Sequence, residues 1–371
     1  MDINNFLEGH VDIIVDWDGK HILNADVSSV RPNVADHLLK GRPVEEAPVM
    51  LGRLFTLCGT SQGMAARLAC DAATGRAQDD GVFRSAQWGV ITELLREHLW
   101  RMLMDWPQRL GGQPEIVHMQ GLLRGLPSPQ SSVDDISRFR DKVAGIIFGE
   151  SADAWLENGN MDNWQAWAER QNTSIARLMS EVWQMAQEIK LDPQLLPHPF
   201  ETSDARELNE QMVTNPGFSQ EPSWHDGAVE TGPLSRMIHH PVLTDASGLL
   251  VARMLSRLAE IPVMIRRLEQ LVGGDTKLDI AGQMKLSEDE GCAWVETSRG
   301  LLVHRVRTEN GELRQYQIVA PTEWNFHPKG PCRRALASIS ANTEEMLRRS
   351  IDLVVTALDP CVHYQVKIRH A

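Results

Sequence analysis

Tyrosine is nearly absent from this 371-residue chain, with two copies against eleven tryptophans. The imbalance is unusual, but composition alone assigns it no role. Cysteine is scarce as well. The five present, Cys58, Cys70, Cys292, Cys332 and Cys361, are odd in number and scattered, which is not a disulfide framework and fits a reducing compartment. No segment approaches about eighteen consecutive apolar residues, so no bilayer span is expected. The opening MDINNFLEGH has neither the basic nor the apolar region of a secretory signal, and the expected location is cytoplasmic. Positive charge is outweighed: 37 Lys and Arg against 50 Asp and Glu leave a net charge of −13, which argues against nucleic acid or an anionic membrane as the main partner. Dinucleotide, P-loop, zinc-protease and nucleophile-elbow motifs are all missing.

What is present is ordinary for a globular protein, 42% hydrophobic and 23% charged. Val11, Ile13, Val15 and Trp17 alternate with mostly polar residues and predict a hairpin turning at Asp18-Gly19. RLFTLCGTSQGMAARLAC predicts a turn opening a helix. Helical spacing runs from Ile91 to Trp106, where Pro107 is expected to stop it, and again from Ile175 to Ile189. Residues 191–228 are polar and proline-bearing and are expected to form a long connection or excursion. A long helix is predicted from Leu249 to Val272, kinked at Pro262. GLLVHRVRTENGELRQYQIVAP alternates on both sides of Asn310-Gly311 and predicts a second hairpin. The last helix opens with a capping-box-like Asn342 and Glu345 and carries Leu347, Ile351, Val354, Val355 and Leu358 on one face. Without a repeat or clear linker, the expectation is one mainly helical α+β domain over 1–371.

Taken singly, the chemically suggestive residues have bland readings. Cys58 beside a helix start reads as a small buried hydrophobe, and His304 within a strand pattern as a core imidazole. Cys361 follows Asp359-Pro360, which holds the next residues on a defined path and aims the thiol, yet no zinc spacing links it to His363 or His370.

Together and in order, six stretches resemble the large subunit of nickel–iron hydrogenases. LEGHVDIIVDWDG is similar to that family's opening Arg-Ile-Glu-Gly-His strand. HLLKGRPVEEAPVMLGRLFTLCGTSQGMAA is similar to its Arg-Ile-Cys-Gly-x-Cys segment, and WHDGAVETGPLSR to its Glu-Val-Gly-Pro-Leu-Ala-Arg element. ETSRGLLVHRVRTENGELRQYQ resembles the Arg-Gly hairpin, APTEWNFHP the Pro-Thr-Thr-Trp-Asn turn, and LDPCVHY the C-terminal Asp-Pro-Cys-x-x-Cys. Residues 75–225 match little of the family. The resemblance implies that family's mainly helical α+β fold with peripheral β-hairpins.

The departures set the expected function. Phe55 stands at the family's first cysteine, Cys58 at the second and Gln62 at its histidine; Cys361 keeps the next cysteine, while Tyr364 and Lys367 replace the last cysteine and the final histidine. In the family, four cysteines hold nickel and two of them bridge to an iron carrying carbon monoxide and cyanide. Two thiols cannot complete a nickel pocket, because nickel in that site depends on a full set of soft ligands. They suffice for an iron that already carries its diatomic ligands. The resemblance assigns metal contact to Cys58 and Cys361. It assigns contact with the cyanide-bearing unit to Arg299, Pro321 and Thr322, with Asp359 and Glu8 as nearby acids and Asp36 as a looser carboxylate candidate.

That combination is similar to the hydrogenase expression/formation proteins of the HupK/HoxV type. It implies a non-catalytic scaffold that transiently holds an Fe(CN)2(CO) unit, without nickel. Its partners would be hydrogenase maturation proteins and the large-subunit precursor, to which the unit is passed. Two alternatives stand beside it: a large-subunit-like redox enzyme with an altered metal centre, and a metal-free relative that binds a quinone.

Overall fold

The computed structural model describes residues 9–32, 34–187, 189–275 and 278–371, so Glu8 lies outside the described residues. It is mainly helical, with two small sheets that carry the first and fourth of the six matched stretches and the end of the last.

The first sheet joins the two ends of the chain. Strand β1 (His10–Trp17) buries Val11, Ile13, Val15 and Trp17 on one face, as their alternation requires. It pairs antiparallel with β2 (Ile22–Val30). The connection is a four-residue loop rather than the expected two-residue turn: a register irregularity at Trp17 pairs it with Ile22, and the Asp18 carboxylate accepts the N–H groups of Lys20 and His21.

The second sheet holds the predicted hairpin and one not foreseen. Strands β3 (Ala281–Ser287), β4 (Glu290–Thr297), β5 (Gly300–Glu309) and β6 (Glu312–Val319) follow each other as an antiparallel meander. Asn310-Gly311 makes the turn between β5 and β6 as expected. β4 and most of β5 are buried, because helix α1 (Gly59–Thr74) packs on this sheet so closely that a Cβ on Gly291 would meet the Ala69 carbonyl at 2.3 Å. The first sheet is completed by β7 (His363–His370), which pairs parallel with β1 from His10 opposite His363 to Trp17 opposite His370.

Four more helices complete the frame. Helix α2 (Asp80–Trp100) does not end at Pro107; a π-turn at Arg101–Asp105 carries it into Trp106–Arg109, where Pro107 sits in a first turn that needs no N–H from it. Helix α3 (Ser174–Ala186) matches the second helical pattern. Helix α4 (Val251–Val272) runs through Pro262 and is buried along most of its length. Helix α5 (Glu344–Leu358) is capped by Thr343, whose hydroxyl accepts the Met346 N–H, and not by Asn342. The stretch 191–228 contains a helix, Thr202–Thr214, whose buried Ala205, Leu208 and Met212 share a core with Trp224, Trp294 and Trp324. Part of the tryptophan excess has a structural use: Trp155 stacks on Trp164 at 4.5 Å and meets Trp167 edge-on.

Candidate functional site

Cys58 is placed by helix packing. It is the residue before α1, and Gly59 lies so close to the helix Ala47–Leu54 that an added Cβ would meet the Gly52 carbonyl at 2.3 Å. Only glycine permits that approach. The exposed N–H groups at the start of α1 are taken by Glu93 of α2, whose carboxylate accepts from Thr60 N at 2.8 Å, Ser61 N at 3.1 Å and the Ser61 hydroxyl at 2.5 Å. Burial pushes the Cys58 thiol up to about 12. The neighbouring Cys361 sulfur and the Glu93 carboxylate add to the effect, while Arg299 and Arg31 oppose it.

Gln62, one turn into α1, reaches back toward the sulfur with its amide nitrogen at 3.8 Å. Its oxygen meets His304 Nε2 at 2.9 Å, and His304 Nδ1 meets the Tyr316 hydroxyl at 2.7 Å. Burial alone lowers His304 to about 3, so the ring is neutral. A neutral ring facing the carbonyl end of Gln62 must donate from Nε2 and accept from Tyr316 at Nδ1. With its oxygen on His304, the amide of Gln62 turns its NH2 toward Cys58. The core reading of His304 holds, with this orienting task added.

Cys361 comes from the opposite end of the chain. Helix α5 stops at Asp359, which adopts a left-handed conformation with φ 54° and donates its N–H to Val355 O. Pro360 follows, and the parallel pairing of β7 with β1 fixes the chain two residues beyond Cys361. The Cys361 N–H donates to the Thr322 hydroxyl at 3.3 Å; that hydroxyl lies 3.1 Å from Sγ and can turn its own proton to the sulfur. Arg31, just past β2, donates from Nη2 to the same sulfur at 2.8 Å and from Nε to Glu323 at 2.9 Å. Burial works against the Arg31 charge, but Cys361 and Glu323 more than offset it and hold the guanidinium protonated.

Asp359 is the hub beneath the thiols. A carboxylate at a helix C-terminus is opposed by the helix dipole, and burial adds to the cost. Arg101 at 2.8 Å, Arg257 at 3.3 Å and Arg299 at 3.3 Å supply the compensation and hold the carboxyl well below its usual range despite burial. Arg299 also donates to Glu97 at 3.2 Å. Its neighbour Gly300 sits at φ 135°, where a Cβ would strike Thr231 at 2.5 Å, so the tight approach of the β4–β5 turn to Thr231 depends on glycine. Asn325 ties the same elements together, donating to Thr231 O at 2.9 Å and Arg299 O at 3.4 Å while accepting from Thr231 N at 3.0 Å. Three of the matched stretches thus meet through one side chain.

The structure brings Cys58, Cys361, Thr322, Asp359 and Arg299 into one site. Pro321 opens the short helix Pro321–Asn325 and is buried directly before Thr322. Asp36 is elsewhere: it accepts the Tyr316 N–H at 2.8 Å and anchors β6. Tyr364 and Lys367, at the family's last ligand positions, lie on β7, where the Tyr364 hydroxyl contacts Asp352 at 3.0 Å and Arg109 at 2.9 Å. Sequence reasoning missed Arg31, Glu93, Glu97 and Glu323. Glu93 and Glu97 interrupt the apolar pattern of α2, which was the available signal; Arg31 offered none.

Among the described residues there is no group of three or more His, Cys, Asp and Glu arranged to hold a bare metal ion. The donor set is two thiols with two guanidinium groups beside them. Buried Glu323 Oε2 has no hydrogen-bond partner, while Arg299 Nε faces Asp359 at 3.3 Å. No helix among the described residues is long and apolar enough to cross a membrane.

Comparison with known proteins agrees with this architecture. The nickel-dependent hydrogenase family model matches residues 238–366. In fold, the chain is similar to the reduced nickel–iron–selenium hydrogenase of D. vulgaris Hildenborough, with a TM-score of 0.63, 16% identity and coverage of 97% of this chain and 98% of that one. The enzyme of Dm. baculatum gives a TM-score of 0.65 at the same identity and coverage. In sequence, it is 34% identical over 361 residues to the hydrogenase expression/formation protein HoxV of Cupriavidus necator, covering 92% of each chain. It is 28% identical to HupK of Rhizobium leguminosarum bv. viciae, over 93% of this chain and 92% of that one. The chain belongs to the HoxV/HupK family of hydrogenase expression/formation proteins and has the fold of a nickel–iron hydrogenase large subunit.

Proposed function

We propose that this protein is an accessory scaffold in hydrogenase maturation that transiently holds an Fe(CN)2(CO) unit and passes it toward the large-subunit precursor. The observation that carries the reading is the pair of thiols brought from opposite ends of the chain onto Arg31 and Arg299. Nothing in the described residues makes up a four-sulfur nickel pocket, and the family's relatives are named for hydrogenase expression and formation. The unit is cargo here rather than a resident cofactor.

In this reading each residue has a bounded task. Cys58 and Cys361 take the iron as thiolates, which obliges Cys58 to give up a proton that burial otherwise holds. Thr322 orients Cys361 through backbone and sulfur. Arg299, locked on Asp359 and Glu97, is a fixed positive charge beneath the cargo, and Asp359 keeps it there. Two protein thiolates make a weaker hold than four, which favours passing the unit on. Partners are hydrogenase maturation proteins and the large-subunit precursor, and the setting is the cytoplasm.

The test is infrared spectroscopy with metal analysis on protein purified from its natural host. The expected result is carbon monoxide and cyanide bands with iron and without stoichiometric nickel, and loss of both bands and iron in Cys58→Ala and in Cys361→Ala. Bands unchanged in both variants would overturn the site assignment. Stoichiometric nickel with hydrogen-dependent dye reduction would establish a redox enzyme instead.

A further inference from the structure

Four buried or half-buried arginines lie at the thiols or at Asp359 beside them, and they are not equivalent. Arg101, Arg257 and Arg299 all converge on Asp359. Arg31 alone among them directs a hydrogen bond onto a thiol, 2.8 Å from Cys361 Sγ, while Glu323 grips its Nε at 2.9 Å. Glu323 is itself 2% exposed and lies in the same short turn as Thr322, the other group on that sulfur. The guanidinium plane is therefore set by a buried carboxylate and aimed at the metal-ligating atom.

A thiolate has lone pairs enough to bind a metal and accept a hydrogen bond together, and such bonds tune the metal. A metal on Cys361 would lie roughly 2.3 Å from the sulfur, so its remaining ligands fall within reach of a guanidinium already on that sulfur. Iron(II) with two cyanides, one carbon monoxide and two thiolates carries two surplus negative charges. A fixed planar fork of N–H donors suits an anionic, hydrogen-bond-accepting ligand such as cyanide.

From this geometry we propose that Arg31 is a cargo-binding residue that donates to Cys361 and to the cyanide-bearing face of the iron unit, with Glu323 as its positioning residue. The proposal rests on the scaffold reading above. Arg31 determines how long the cargo stays and how its cyanides are polarised, and Glu323 determines where the fork points.

The experiment compares wild type, Arg31→Lys, Arg31→Met and the double variant Arg31→Met/Glu323→Gln, each purified from the natural host. The double variant removes both charges of the buried pair and guards against misfolding of the single one. Infrared band positions, iron per chain and thermal midpoint are read for each. The expected result is shifted cyanide bands in every variant and iron retention reduced roughly tenfold or more in Arg31→Met, with Arg31→Lys between. The double variant should hold iron no better than Arg31→Met while regaining thermal stability. Bands that stay at their wild-type positions in Arg31→Met and the double variant, whatever the change in stability, would reduce Arg31 to a structural ion pair and overturn the proposal. A wild type with no cyanide bands would instead sink the scaffold reading.

Discussion

The two thiols face one site from opposite helix ends, and their surroundings differ in kind. Cys58 precedes the start of α1, where free backbone N–H groups ordinarily favour a thiolate. Here Glu93 has taken those N–H groups, and the nearest donor to the sulfur is a neutral amide at 3.8 Å. Cys361 follows the negative end of α5, a poor place for an anion, yet it has a guanidinium at 2.8 Å and a hydroxyl at 3.1 Å. The side-chain contacts at each end thus reverse what the helix ends alone would dictate. One sulfur is met by a guanidinium and a hydroxyl, and the other is held as a neutral thiol until something displaces its proton.

The sharpest way to break this contrast is at its shared support. Asp359→Asn would leave Arg101, Arg257 and Arg299 facing one another without a counter-charge, and removing one partner from such a buried network costs about 3–5 kcal/mol. Urea denaturation should show a loss of that size, together with loss of iron from protein isolated from the host.

Glu93→Gln tests the Cys58 side alone. Because the Glu93 carboxylate helps push the thiol up, the variant should move Cys58 downward. In the wild type, alkylation of Cys58, followed peptide by peptide, should keep rising about tenfold per pH unit between pH 8 and 11, since its thiol lies near 12. In Glu93→Gln the same curve should shift to lower pH; an unshifted curve would show that Glu93 serves only the helix N-terminus.

The smallest effect belongs to the orienting chain. Tyr316→Phe removes the proton that His304 Nδ1 accepts, at a cost of about 1 kcal/mol in denaturant. With the ring then able to swap its proton between nitrogens, Gln62 loses its fixed sense. A modest change in Cys58 alkylation rate, with Cys361 unaffected, is the expected readout.

Much of this was legible in the sequence wherever a residue's neighbours are local. The alternation of Val11, Ile13 and Val15 revealed β1, and Asn310-Gly311 revealed the β5–β6 turn. The β3–β4 hairpin escaped notice because β4, Glu290–Thr297, is buried on both faces and therefore shows no alternation. Thr343 rather than Asn342 caps α5, since either hydroxyl or amide fits the local pattern. Pro107 looked like a stop because a π-turn that restarts the helix leaves no mark in hydrophobic spacing. At the site, the matched stretches supplied Cys58, Cys361, Arg299, Thr322 and Asp359. They did not supply Arg31, whose meaning depends on a sulfur 330 residues away. Nor did they supply the pairing of β7 with β1, because a parallel ladder leaves no trace in either strand alone.

That parallel ladder also fixes an order of events. One sulfur belongs to a stretch that can form early and locally, at the start of α1, while the other is set in place only when β7 docks beside a strand made near the beginning of synthesis. Closing so long a loop is slow and comes late in folding. Until it closes, the chain presents a single thiol and no chelate. If the protein holds the iron unit as proposed, a half-finished molecule on or just off the ribosome would pass it over, and the fold itself would check its own completeness.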